Sequence, residues 1–267
     1  MIKCYTSELT TNQTSRVAMA EAAQTLRPTN DEARELGRFL VRGARFMSLA
    51  VLDPETGFPS VSRALTIIDL DGTPVVLVST LSGHTKGLIA DPRCSLLAGE
   101  PAKGDPLAHA RITLHCEAKP VVRNSAAHDR IRARFLARHP KAQLYIDFPD
   151  FLFFRLQPRQ AALNGGFGRA YMLENKDFAI AEPANPQAWL TFQNNLPANN
   201  TAADILARRL NLDGKNWRFG LVDPAGVDLI CGDLLVRHEF PNPKDLPEHV
   251  MHYICSAAKV QHELPKI

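Results

Sequence analysis

The sequence predicts an α+β protein: an antiparallel β-barrel carrying helices, followed by a small α+β module. Two observations carry that prediction. Between Phe46 and Gln157, short runs rich in Val, Ile, Leu and Phe alternate with turn signals, which is the texture of successive β-strands. The turn signals Asp53-Pro54-Glu55-Thr56-Gly57 and Asp71-Gly72-Thr73-Pro74 supply the backbone conformations that join antiparallel neighbours. Strands linked by hairpins disfavour a βαβ parallel sheet and favour a barrel that closes on itself. A chain of 267 residues, 45% of them apolar, can bury a core without disulfides or structural metal.

The elements follow in order. Residues 1–28, rich in Thr, Ser, Asn, Gln and Ala, read as a flexible lead-in with at most a short helical stretch at Val17 to Leu26. Thr29 and Glu32 stand at capping-box spacing, and Ala33, Leu36, Leu40 and Ala44 then recur at helical intervals to Arg45. Strands are expected at Phe46 to Leu52, Val61 to Leu70, Pro74 to Thr80, Cys94 to Ala98, Arg111 to Val122 and Phe151 to Gln157. Two helices interrupt them, Thr85 to Ala90 and Ser125 to Arg138. Arg130, Arg134 and Arg138 form a stripe on the second, either a solvated face or a contact to an acidic partner or anionic ligand.

Pro183, Pro186 and the Asn-rich stretch 194–200 mark a boundary near residue 182. The barrel domain is therefore expected over 29–182 and an accessory domain over 183–267. The latter reads as short helices at Ala188 to Gln193 and Ala202 to Leu210, strands at Trp217 to Val222, Val227 to Ile230 and Leu234 to Phe240, and a helix from Asp245 to about Gln261.

The 31 basic and 28 acidic residues leave a net charge of +3, too even a balance for an obligate nucleic-acid binder. Five scattered cysteines without a Cys-x-x-Cys pair read as reduced thiols. Apolar runs fall far short of the ~20 residues a membrane helix needs, and no secretory h-region is present. A cytoplasmic protein with no membrane partner is expected.

Chemistry concentrates in Ser79-Thr80-Leu81-Ser82-Gly83-His84-Thr85-Lys86. Two hydroxyls, a glycine and then Thr and Lys at a helix start describe an anion cradle, because a helix N-terminus offers free N–H groups and partial positive charge. The bland alternative is a helix cap with a surface lysine. Arg63 alternates with Val61, Leu65 and Ile67 on one strand face, where an arginine among apolar residues calls for an anion unless it lies at the rim. The glycines of Gly165 to Arg169 lack dinucleotide spacing and are expected to form a tight bend. His249 and His252 lack a third metal ligand, and no Ser-His-Asp or Cys-His arrangement appears, so neither a metal site nor a catalytic residue is assigned.

These segments occur in a recognisable order: Ser48-Leu49-Ala50, Gly57-Phe58-Pro59, Ser62-Arg63, Ser79 to Lys86, Asp91-Pro92-Arg93-Cys94-Ser95-Leu96-Leu97, Asp105-Pro106 and Arg111-Ile112-Thr113-Leu114. His139-Pro140, Asp150-Phe151 and Gly165-Gly166-Phe167-Gly168-Arg169-Ala170 follow. Together they resemble the pyridoxamine 5'-phosphate oxidase-like, FMN-binding split-barrel superfamily, in its haem-utilisation (HugZ-type) branch. The resemblance spans roughly residues 29 to 175 and rests on order and spacing. The tail, with Val222 to Leu229 and Arg237-His238-Glu239-Phe240-Pro241, resembles the small domain that often accompanies this barrel.

The resemblance implies an FMN-binding split β-barrel that forms a homodimer, with FMN or haem in grooves between the copies. It implies an oxidoreductase or haem-degrading activity; the alternative is a non-enzymatic haem or tetrapyrrole carrier or regulator. By position, Arg63, Ser79, Ser82, Thr85 and Lys86 correspond to phosphate contacts. His84 is either a ligand contact or structural, and Arg169 is a partner for a propionate or phosphate. One departure stands out: haem-degrading relatives take an axial histidine from a tail beyond the barrel, and residues 170–189 contain none.

Overall fold

The computed structural model describes residues 26–166, 168–196 and 201–255. The expectations for residues 1–25 and for the helix beyond 255 lie outside the described residues. The first helix, α1 (Asp31–Gly43), is capped by Asn30, whose side chain accepts from Ala33 N at 2.9 Å. This corrects the expected Thr29/Glu32 box. The Thr29 hydroxyl donates to Met172 O at 3.0 Å and Glu32 pairs with Arg169, so both residues tie the helix to a distant strand instead.

Seven strands form one antiparallel sheet: β1 (Phe46–Leu52), β2 (Pro59–Ile68), β3 (Pro74–Ser79), β4 (Arg93–Ala98), β5 (Arg111–Pro120), β6 (Phe151–Asn164) and β7 (Ala170–Glu174). The order β3-β2-β1-β4-β5-β6 closes because β3 also pairs with β6, giving a six-stranded barrel with β7 appended to β6. Alternation drives the closure. In β1, Met47, Leu49 and Val51 point inward, and in β5 Ile112, Leu114, Cys116 and Ala118 do the same. They meet Leu96, Leu156, Leu163 and Leu173 in one core, against which α1 lays Ala33, Leu36, Leu40 and Val41.

α2 (Gly83–Ala90) packs on β1, where a Cβ at Gly87 would stand 2.8 Å from Val51 Cγ2 and 2.9 Å from Leu52 O. Only glycine lets the helix approach that closely. α3 (Ala126–Arg138), with Ser125 as its N-cap, covers the outer side of β2 and β3 by placing Ile131 and Phe135 against Ile67, Val75, Leu77 and Phe153.

β6 runs seven residues past the expected Gln157, and β7 was not expected. Between them Gly166 (φ +101°) and Gly168 (φ +69°) make the expected bend. After the short α4 (Asn175–Phe178) come α5 (Pro186–Asn194), α6 (Thr201–Arg209), β8 (Arg218–Asp223), β9 (Gly226–Cys231), β10 (Leu234–Glu239) and α7 (Pro247–Cys255). The last three strands form a second antiparallel sheet. Its core of Trp189, Leu206, Trp217, Leu229, Phe240 and Val250 also receives Leu70 from the β2–β3 hairpin.

The arginine stripe on α3 is neither a solvated face nor a site for an outside anion. Arg134 and Arg138 are buried and Arg130 nearly so, and their acidic partners lie within the chain. Arg130 bonds Asp69 at 2.9 Å, and Arg138 meets Asp228 at 2.8 and 3.0 Å. Asp223 accepts from Arg237 at 2.8 and 2.9 Å and from Arg42 of α1 at 2.5 Å. Burial pushes Asp223 up, but Arg237, Arg42 and Arg134 outweigh it and hold the carboxyl far below its ordinary range. No helix among the described residues is long and apolar enough to cross a membrane.

Candidate functional site

The Ser79 to Lys86 segment turns from the end of β3 into α2, and its side chains chiefly satisfy one another. The Ser79 hydroxyl donates to Asp150 Oδ2 at 2.6 Å and accepts from Leu81 N. The Ser82 hydroxyl donates to Ser79 O at 2.6 Å, so it accepts from His84 Nε2–H and from the Thr85 hydroxyl, both at 2.8 Å. His84 Nδ1 then accepts from the Ser62 hydroxyl at 3.1 Å. Burial lowers the His84 pKa, so the ring stays neutral near pH 7 and clamps α2 to β2 without offering a charge. Thr85 is wholly buried.

For a phosphate this cradle is crowded. Asp150 sets a carboxylate beside the Ser79 hydroxyl, and Lys86 is exposed, its charge falling on Asp53. Gly83 faces open space, and no side chain caps the helix at Ser82.

Arg63 is exposed on the outer side of β2, opposite to Ser62, because successive strand residues face opposite ways. Its guanidinium lies 4.6 Å from the centroid of Phe46. The expected apolar face of Val61, Arg63 and Leu65 is thus the outside of the barrel, with Val61 66% exposed. Burial imposes no demand for an anion there. Instead, Arg63 is an exposed cation for which no carboxylate partner is found among the described residues.

That outer face continues across β1, β4 and β5. Register aligns Val61 with Ala50, Ala50 with Ser95 and Ser95 with His115, a row roughly 14 Å long at ~4.8 Å per strand. Ala50 and Ser95 are small, and the row dips into an open groove of about 520 Å³. Leu52, Pro59, Arg93, Glu117 and Arg159 also line it. No described element covers the groove, whereas α3 covers the other side of the barrel. Arg93 pairs with Asp91 at 2.6 Å and Arg159 with Glu117 at 2.5 Å, both within reach of solvent screening.

Arg169 lies elsewhere. It bonds Gly165 O and Glu32 across the β6–β7 bend, at the far end of a 14-residue strand from Ser79, which pairs with Phe151. That separation is roughly 40 Å along the strand, so one chain does not bring Arg169 to the Ser79 segment. His249 and His252 are exposed on α7.

Sequence reasoning missed the groove residues Arg93, His115 and Arg159. The usable signal was the polar row Arg111, Thr113, His115 and Glu117 alternating with apolar residues on β5, which marks a face turned away from the core.

The family model described as CREG, beta-barrel matches residues 28–179. Non-canonical heme oxygenase HOZ, chloroplastic, of Arabidopsis thaliana is 41% identical over 117 residues, 43% of this chain and 35% of that protein. Heme oxygenase HutZ of Vibrio cholerae is 31% identical over 137 residues, 49% of this chain and 75% of that protein. The aligned part thus spans about a third of the plant relative's length. A crystal structure of an Agrobacterium tumefaciens protein of unknown function superposes with a TM-score of 0.72 at 25% identity, covering 86% of this chain and 97% of that one.

Proposed function

We propose, from the premise that the chain belongs to the CREG beta-barrel family, that it binds haem on the uncovered outer face of its barrel and degrades it. The observation that carries this reading is the groove: a floor of small and apolar side chains with arginines at the rim suits a flat apolar ring bearing carboxylates. Haem, when bound, supplies the redox-active iron and the ring that is opened.

The chain's own residues bind and orient. Arg93 and Arg159 exchange exposed carboxylate partners for those of the ligand, and Arg63 offers a further cation. Charge-assisted bonds of this kind are stronger than neutral ones and fix the ligand's orientation. Val61, Leu65 and Leu97 on the same face supply apolar contact and exclude water. A second copy of the chain is our candidate for covering this face, because these large apolar side chains stand exposed around the groove.

FMN is the less favoured cofactor, since a phosphate at the Ser79 to Lys86 segment must contend with Asp150. Free thiols at Cys94, Cys116 and Cys231 support a reducing compartment such as the cytoplasm. We assign residues 29–182 to the ligand-binding barrel and 183–267 to an accessory domain anchored on it.

Titration of the purified protein with hemin and with FMN, followed by addition of electrons, tests the reading. A saturable Soret change and then release of a ring-opened tetrapyrrole is expected. Soret binding without turnover would leave a carrier, and a protein that takes up only FMN would overturn the haem assignment.

A further inference from the structure

We propose that His115 is the ligand this chain supplies to haem iron, with Gln160 positioning its ring and Arg159 taking a carboxylate of the same haem. The assignment rests on the haem reading above and adds to it the atom that holds the metal.

Three features of β5 and β6 converge on His115. The first is exposure with direction. His115 stands on the outer face of β5, between inward-facing Leu114 and Cys116, and lines the groove beside Ser95. Two other histidines of the barrel are engaged away from the groove. His84 is held at both ring nitrogens by Ser62 and Ser82, and buried His139 bonds Thr66 O at 3.0 Å.

The second feature is a β-bulge. His115 pairs with Gln160 but Cys116 pairs with Pro158, so Arg159 is an extra residue on β6. A bulge breaks the strict alternation and re-aims side chains, a device frequent beside functional sites. Here it exposes Arg159 and Gln160 consecutively, whereas the flanking Pro158 and Ala161 are buried. Without the extra residue, Arg159 and Gln160 would face opposite ways.

The third is the contact between them. The Gln160 side-chain amide sets its Nε2 3.1 Å from His115 Nδ1. A side-chain amide can present its oxygen or its nitrogen at that place. With the oxygen inward, Nδ1–H donates to Oε1 and the Nε2 lone pair is left for a metal. Metal-binding histidines are commonly held this way, the second ring nitrogen fixing the tautomer and the ring orientation. The small neighbours Ala50 and Ser95 keep the approach to the ring open, and Arg159, its side chain 64% exposed, pairs with Glu117.

The test uses the full chain loaded with hemin. In the wild type, the ferrous complex should show an iron–histidine stretching band by resonance Raman. His115→Ala should abolish that band, shift the Soret maximum and weaken hemin binding at least tenfold, with added imidazole restoring the nitrogen-ligated spectrum. Gln160→Ala should keep the band, move its frequency and weaken binding by roughly tenfold. His252→Ala, exposed on α7, should change nothing. If the wild type binds hemin and His115→Ala keeps its band and affinity, the ligand assignment is overturned while the haem reading stands. Loss of the band in His252→Ala instead would likewise overturn it. If the wild type shows no saturable hemin binding, both readings fall.

Discussion

Removing the carboxylate of Asp223 should cost this protein as much as truncating a large core side chain. The side chain is 1% exposed and lies among three guanidinium groups, those of Arg237 at 2.8 Å, Arg42 at 2.5 Å and Arg134 at 3.7 Å. It also accepts from Ala225 N at 3.0 Å. In Asp223→Ala, Arg237 keeps Glu239 and Asp228, and Arg42 keeps Glu239, yet the cluster carries one more uncompensated positive charge out of water. Breaking a buried ion pair from one side costs about 3–5 kcal/mol. At about 2–4 °C per kcal/mol for a chain approaching this size, the melting temperature should fall by roughly 6–20 °C.

Calorimetry near neutral pH, at low and high salt, would measure this loss. Salt should alter it little, because buried pairs are weakly screened. The pH dependence has a definite sign. The folded pKa of Asp223 lies below its unfolded value near 3.9, so its contribution is present above that pH and disappears only in strong acid. Pairing Asp223→Leu with Arg237→Met, which removes charge on both sides, should recover at least half of the loss. A fall below about 1 kcal/mol for Asp223→Ala would refute the claim that this cluster fastens the second sheet to the barrel.

Four further outcomes are expected. Burial lowers the His139 pKa to about 4, so between that value and the unfolded 6.5 the unfolded chain binds more protons. Stability should therefore rise with pH across that window by about 3 kcal/mol, and urea titrations of His139→Gln should show a flatter profile. Gly87→Ala should destabilise by about 1–3 kcal/mol through overpacking against Val51 and Leu52 O, measured by chemical denaturation. Arg63→Ala should leave stability within about 1 kcal/mol, since only the exposed contact to Phe46 is lost, yet weaken hemin binding by about tenfold or more in a spectrophotometric titration. With a second copy on this face, as proposed, Val61→Glu should lower the sedimentation coefficient from that of a dimer to that of a monomer without unfolding the barrel; a variant that sediments like the wild type would exclude this face as the contact.

The barrel's strands were legible because their inward residues obey a period of two and their turns carry Asp and Gly. β6 was cut short at Gln157 because Pro158, Arg159 and Gln160 look like the end of a strand. The bulge accommodates all three: Pro158, buried, sits where the ladder is irregular, and the two polar residues turn outward. The α3 arginines were misread because Asp69 and Asp228 lie 61 and 90 residues away in sequence, beyond any local pattern. Within the candidate site, Ser79 to Lys86 stood out because its residues are contiguous. The groove was hidden, since Ala50, Ser95, His115 and Arg159 meet only through strand register.

The β3–β6 pairing that closes the barrel also governs how the molecule can meet another. Closure occupies both sides of most strands, and even the outlying β7 has Ala170 O occupied by Arg27 N and Met172 O by Thr29. A neighbour that meets the outer face of the sheet therefore recognises it through side chains. Affinity across the outer face is then written residue by residue in Val61, Leu65, Leu97 and their neighbours. Single substitutions can tune it while the hydrogen-bonded ring behind them stays intact.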